Sequence, residues 1–392
     1  MKLFADDSSL FIRVRDVEVA QNILITDLDT ISSWAKLWKM QFNPEISKQA
    51  IEVIFSNKYK KGDHPPLTFG DIPVARQDST KHLGLILDEK LSFKKQIAEA
   101  IIKAKKGIAM LKFLRKYVNR DKLDLAYKMY IRPHLEYGDV IFHGSAQYLS
   151  DNIESVQYQA GLIVAGCWKK TSRVKLYSEL GWESLSERRI FRRLCLYYKI
   201  KNGLTPPYLR SYLLDSPPTG TARFLKSFFP FCYNIWPTVD PLIRNSTSLA
   251  TFKSRYIACL RPPKSKTYAI HDKSGIPLLT RLRVEHSDLR SHRYPKNFNC
   301  PSPTCKCGFE HETPAHYFLR CQFFIPCRRT LLNSISFIAN DIQNLPHDQL
   351  TKLLLYGSPS LDDNQNTSIL KASIIYIKTS GRFKKNEAFS HS

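Results

Sequence analysis

Five of the nine cysteines in this 392-residue chain fall between residues 300 and 327. Their core is Cys305-Lys306-Cys307-Gly308, followed by His316 and Cys321, a C-x-C-x8-H-x4-C pattern. Three thiols and an imidazole at this spacing constrain the local backbone strongly, because zinc takes four sulfur or nitrogen ligands tetrahedrally in closed structural sites. A close cysteine pair ending in glycine makes a tight turn that aims two thiolates at one point. Thr313-Pro314 is a helix start that places His316 in the first turn. His316 and Cys321 are five residues apart, so a straight helix does not align them and the helix must end near Arg320. Cys300, His311 and Cys327 are alternative ligands. Reduced cysteines also serve as small apolar residues, but their clustering beside a histidine favours zinc on Cys305, Cys307, His316 and Cys321.

Lys and Arg number 59 against 35 Asp and Glu, a net charge of +24, which favours a polyanionic partner. The basic residues lie along core-forming helices rather than on a separate amphipathic anchor, so a membrane surface is the weaker choice. No apolar run approaches the roughly 20 residues of a membrane span, and the N-terminal residues carry no signal-peptide pattern. The expected location is the nucleus or the cytoplasm, where thiols stay reduced. At 43% hydrophobic residues the chain can build real cores. Its length suits two or three domains.

The helical period recurs along most of the chain. Ala20, Ile23, Leu24, Leu28, Ile31, Trp34, Ala35 and Trp38 form one stripe, in which the two Trp are expected in the core. Short strands are expected at Ile51–Phe55 and His82–Leu87, with a hairpin turn at Phe69–Ile72. From residue 92 to 120, Phe93, Ile97, Ile101, Ala104, Ile108 and Leu111 make an apolar face. Lys95, Lys103 and Lys106 lie opposite it. That stretch holds nine Lys or Arg and a single acid, Glu99. A solvated helix face mixes signs to form i,i+4 pairs, so the purity of sign points to phosphate contact. Asp121 can cap the next helix, and Pro133 should end or kink it. Ser184-Leu185-Ser186-Glu187 is a capping box. It opens a helix bearing Arg188, Arg189, Arg192 and Arg193, which suits gripping a nucleic-acid backbone and equally suits a solvated face. Residues 214–247, rich in Pro, Ser and aromatics, read as a linker with packed anchors. Nothing is assigned after residue 330.

The chain opens with Asp6-Asp7 between the apolar runs Leu3-Phe4 and Leu10-Phe11-Ile12. The runs predict strands and the residues between them a turn, so the two acids sit at a hairpin tip. Buried strands would make that tip rigid enough to hold Mg²⁺, which takes oxygen ligands and usually one or two carboxylates. An Asp pair in a turn is also commonly just solvated. Phe4-Ala5-Asp6-Asp7 resembles the palm hairpin of reverse transcriptases. An ordered series follows that resembles the non-LTR, jockey-type retrotransposon polymerases: Trp38-Lys39-Met40-Gln41-Phe42-Asn43-Pro44, Lys81-His82-Leu83-Gly84-Leu85-Ile86-Leu87-Asp88 as the primer-grip strand, Tyr130 to Gly138 as a thumb segment, and Leu180 to Leu185. The Cys/His cluster is similar to the knuckle of the same proteins, and the resemblance runs to about residue 330.

The resemblance implies an α+β chain: the C-terminal part of a polymerase palm with its primer-grip sheet over 1–90, a helical thumb over 91–213, a linker over 214–247, and a C-terminal region with a zinc knuckle over 248–330. It implies an RNA-directed DNA polymerase that binds an RNA and DNA template-primer, with Mg²⁺ on Asp6 and Asp7 and Lys48 donating a proton to the leaving pyrophosphate. The family's third metal-binding Asp stands upstream of the hairpin. The expectation for the chain as it stands is therefore a piece inactive alone. The alternative is a non-catalytic, zinc-containing nucleic-acid-binding remnant. Oligomeric state, template choice and target site are not legible in the sequence.

Overall fold

Lys2–Phe4 pairs antiparallel with Asp7–Ser9, with Phe4 opposite Asp7, Leu3 opposite Ser8 and Lys2 opposite Ser9. The hairpin forms, but its second strand lies earlier than the apolar run Leu10–Ile12 suggests. Only two residues separate the strands, so the tight register draws Asp7 out of the turn and into the ladder. The structure, a computed structural model, describes residues 2–4, 7–13, 17–40, 50–56, 65–69, 72–260, 265–296, 299–338 and 342–383. They are mostly helical with small sheets, an α+β chain that divides into two compact units, residues 1–99 and 100–392.

In the first unit, the helix Val17–Leu37 buries Ala35 but leaves Trp34 49% exposed, and Trp38 just past its end is 65% exposed, against the expectation of two core Trp. Phe4 and Phe11 are also exposed, so neither ring anchors the hairpin in a core. The reason is in the ladders, which among the described residues are only two-stranded and offer little surface to bury a ring. Ser79–His82 pairs with Leu85–Asp88 around a turn at Leu83 and Gly84, both with positive φ (46° and 78°). Two positive φ values are what a two-residue hairpin of type I′ requires. A single strand over His82–Leu87 is thereby corrected to a hairpin. The buried carboxylate of Asp88 then accepts from the backbone N–H groups of Lys90, Ser92 and Phe93 and from the Ser92 hydroxyl. These bonds outweigh the cost of burial and hold Asp88 below the ordinary carboxylate value. They also order the entry into the helix Lys94–Leu114.

The second unit is built from helices. Arg120–Tyr130 stops where expected, and the chain restarts as Arg132–Glu136 with Pro133 in the first turn. Gln147–Ala165 is largely buried. Leu185–Lys201 carries the anticipated capping box: the Ser184 hydroxyl accepts from Glu187 N–H at 3.1 Å, and the Glu187 carboxylate accepts from Ser184 N–H at 2.8 Å. Residues 214–247 contain the short helices Ala222–Leu225 and Phe228–Ile235. Cys232, Trp236, Val239 and Ile243 from this stretch join Leu194, Tyr198 and Phe252 in one core. The C-terminal residues make another: Leu279, Leu282, Tyr317, Phe318, Leu354, Ile369, Leu370, Ile374 and Ile377 pack together. The helix Asp363–Thr379, opened by an Asp362–Gln365 capping box, therefore lies against the segment that carries the cysteines. Among the described residues no helix is long and apolar enough to cross a membrane.

Candidate metal centre and basic helix

The cysteine loop is a small hairpin. Thr304 and His311 form an antiparallel bridge, Cys305 N–H donates to Glu310 C=O at 2.8 Å, and Gly308 N–H donates to Cys305 C=O at 2.9 Å. The turn requires φ +83° at residue 308, where glycine alone costs nothing. This returns Cys305 and Cys307 to one side. The other two donors come from the segment after Thr313, whose hydroxyl caps His316 N–H at 3.2 Å. Residues His316–Arg320 form a π-turn, closed by Cys321 N–H donating to His316 C=O at 2.8 Å. An i→i+5 turn is what brings residues five apart onto one face, and the segment ends at Arg320.

The four donor atoms of Cys305, Cys307, His316 and Cys321 lie within 4.8 Å of one another. The Cys305 and Cys321 sulfurs are 3.8 Å apart, and His316 Nε2 is 3.3 Å from Cys307 Sγ. Zinc about 2.3 Å from each of two tetrahedral sulfurs sets them about 3.8 Å apart, so the set fits that ion. Cys305, Cys321 and His316 are buried. Burial pushes the Cys305 thiol up to about 12, whereas for Cys307 burial acts upward but hydrogen bonds from the Phe309 N–H, Cys305 and Cys321 together draw it below the ordinary thiol value. One residue the sequence reading did not single out completes the arrangement. Glu310 accepts from His316 Nδ1 at 2.8 Å, which leaves Nε2 free to face the sulfurs, and Arg320 holds the same carboxylate at 2.9 Å. A carboxylate behind a ligating imidazole fixes its tautomer. The acids Glu310 and Glu312 between Cys307 and His316 were the available signal.

The helix Lys94–Leu114 buries Ile97, Ala104, Ile108 and Leu111 and turns its cations outward. Lys95 is engaged with a neighbour, its ammonium 2.8 Å from Asp78 and 2.9 Å from the Ser79 hydroxyl. Lys103 and Lys106 are exposed. Between residues 100 and 119 there are six Lys or Arg (Lys103, Lys105, Lys106, Lys112, Arg115, Lys116) and no acid, and all six are exposed.

The four arginines of the capped helix are used inside the second unit. Arg188 pairs with Glu136 at 2.5 Å and Glu183 at 3.4 Å, and Arg192 pairs with Glu136 and Asp139. Arg189 donates to the Ser150 hydroxyl at 3.0 Å, and Arg193 lies over the rings of Phe228 and Phe231. Arg189 and Arg193 are 2% and 1% exposed, which accords with neither a backbone grip nor a solvated face. Asp6 and Lys48 lie outside the described residues, and the Asp7 backbone sits in the first ladder opposite Phe4.

No family model matches the chain, and no solved structure matches it. Three curated proteins of fruit flies are similar to it. A probable RNA-directed DNA polymerase from transposon X-element of Drosophila melanogaster is 26% identical over 169 residues, 42% of this chain and 18% of that protein. The RNA-directed DNA polymerase from mobile element jockey of the same species is 25% identical over 176 residues, 43% of this chain and 18% of its own length. The jockey polymerase of Drosophila funebris is 25% identical over 157 residues, 39% and 17% respectively. The match thus spans less than a fifth of each relative.

Proposed function

We propose that this chain, a relative of the RNA-directed DNA polymerases of non-LTR mobile elements over about two fifths of its length, binds an RNA and DNA template-primer through its basic helix and carries one structural zinc. The observation that supports this best is the exposed run Lys105, Lys106, Lys112, Arg115 and Lys116 on the helix and its C-terminal turn, where Glu99, at the start of the helix, is the one acid between residues 92 and 119. Such charges repel one another unless a polyanion is present. Zinc on Cys305, Cys307, His316 and Cys321 would hold the cysteine hairpin to the His316–Arg320 turn. Residues 1–90 correspond in this proposal to palm and primer grip, and the basic helix to the start of the thumb. Asp6 and Asp7 are the residues that would hold Mg²⁺ in the polymerase, and the ion would supply charge stabilisation to the reacting oxygens. Lys48 is the proposed proton donor to pyrophosphate.

The lysines give the direct test. Each phosphate neutralised on a duplex contributes about −0.9 to the slope of log K against log salt. Lys103→Gln with Lys106→Gln should flatten that slope by about 2 units at most and weaken binding alike on all sequences. Helicity by circular dichroism should persist, since Ala104, Ile108 and Leu111 are untouched. Lys95→Gln should change the slope less, because Asp78 already neutralises that ammonium. A slope equal to wild type in the double variant would return this face to solvent.

A further inference from the structure

We propose that the C-terminal end of the basic helix is a stacking platform for unpaired nucleobases, formed by Phe113 and Tyr117, so that this region distinguishes single strands from duplex. The inference rests on the reading of the helix as a phosphate-contacting surface and adds a substrate preference to it. Phe113 is 61% exposed and Tyr117 60% exposed, and their ring centroids are 5.0 Å apart with planes tilted by 47°. The two rings support each other and leave their outer faces open. Lys106 and Phe113 are seven residues apart, two helical turns, so they share one stripe of the helix. Lys112, Arg115 and Lys116 flank the rings.

The backbone beneath Tyr117 is tied down on both sides of the residue. Tyr117 N–H donates to Leu114 C=O at 2.8 Å, and the Tyr117 carbonyl accepts from the Lys273 ammonium. Two large rings held in water by a fixed backbone offer π-faces that every base can use, whatever its identity. The charge around them selects the occupant. With no acid between residues 100 and 119, a basic protein partner is repelled by this face and a neutral one leaves its cations unpaired, whereas a nucleic acid brings phosphates for the cations and bases for the rings. In a duplex the bases are already stacked on one another, so the rings reach only unpaired nucleotides, while the lysines act on both forms.

The experiment measures affinity of the full chain for a single-stranded oligonucleotide and for the duplex of the same sequence across a salt series. Phe113→Leu and Tyr117→Leu keep an apolar side chain at exposed positions but remove the π-face. Each should weaken single-strand binding about tenfold, leave duplex binding within about twofold, and leave both salt slopes unchanged. Phe113→Tyr and Tyr117→Phe should restore single-strand affinity. An equal loss on both substrates, or no loss on either, would overturn the platform. If the ring variants are silent while Lys103→Gln with Lys106→Gln flattens the slope, stacking falls and phosphate contact stands. If wild type binds neither oligonucleotide, both fall together.

Discussion

Cys321→Ser is expected to abolish stoichiometric zinc binding and to lower the melting temperature of the chain by an amount on the order of 10 °C. The size follows from what the metal would hold. Cys321 is fully buried and ends the π-turn whose middle residues, Tyr317 and Phe318, are themselves fully buried in the C-terminal core. Tyr317 packs against Phe324 and Tyr376, and the Tyr376 hydroxyl donates to the Tyr317 carbonyl. Releasing the turn therefore loosens aromatic packing that reaches the last helix. Classical finger peptides gain about 10–16 kcal/mol from zinc because nothing else folds them. Here an apolar core contributes independently, so only part of that gain appears as a change in melting temperature. Chelation of the wild-type chain should reproduce the variant. Acid should do so too, since zinc requires thiolates: burial keeps Cys305 protonated up to about 12 in the metal-free chain, so binding must release its proton and weakens as pH falls. Glu310→Gln should cost about 10- to 100-fold in zinc affinity without abolishing the site. Elemental analysis with parallel melting curves checks all of this. A metal-free chain with an unchanged melting point would remove zinc from the account.

Much of this centre is legible in the sequence, because ligand chemistry is local. The C-x-C-G turn, the Thr313-Pro314 start and the break near Arg320 are all readable from residues in immediate sequence. How a five-residue spacing closes on one face was not readable, since a π-turn has no signature in residue types. The capping box at Ser184 and the restart at Pro133 were legible for the same local reason. The arginines were not. Arg188 and Arg192 follow a surface-like doublet pattern, and only the placement of Glu136 and Asp139, about fifty residues earlier, turns them inward. The last helix escaped notice because its buried stripe includes Asn366 and Ser373 among the aliphatic residues, which dilutes the apolar period. Asn366 is buried because it is satisfied, its amide donating to the carbonyls of Ser358, Leu361 and Asp362. Sequence pattern reports which residues prefer burial; it does not report which polar groups find partners there.

Glu179→Gln is expected to destabilise the second unit by about 3–5 kcal/mol. Glu179 is buried between two buried guanidiniums. Arg120 Nη1 lies 2.9 Å from Oε1, and Arg283 Nη1 lies 3.1 Å from Oε1 and 3.2 Å from Oε2. Arg120 also donates to the Glu179 carbonyl at 2.9 Å and to the Thr267 hydroxyl at 2.8 Å, while Arg283 reaches the Ser265 hydroxyl at 2.6 Å and the Leu355 carbonyl. One carboxylate thus joins segments from residue 120 to residue 355. Removing its charge leaves two cations buried without a counter-ion, and the amide NH2 turns a donor toward Arg283 where Oε2 now accepts. Burial alone would raise the Glu179 carboxyl, but Arg283 and Arg120 hold it below its ordinary value of 4.5. A folded value below the unfolded one means that the carboxylate stabilises the fold fully above about pH 4.5 and loses that contribution as pH falls toward the depressed value. Urea unfolding at neutral pH should show the full loss in Glu179→Gln, and the variant's stability should vary less than wild type below pH 4.5. Replacing the whole triad by apolar residues of similar volume, Arg120→Met, Glu179→Leu and Arg283→Met, should cost far less than Glu179→Gln alone, because desolvation of three charges is relieved together. A loss under about 1 kcal/mol in Glu179→Gln would mean that water reaches these guanidiniums and that Thr267 and Ser265, not the carboxylate, hold the segments together.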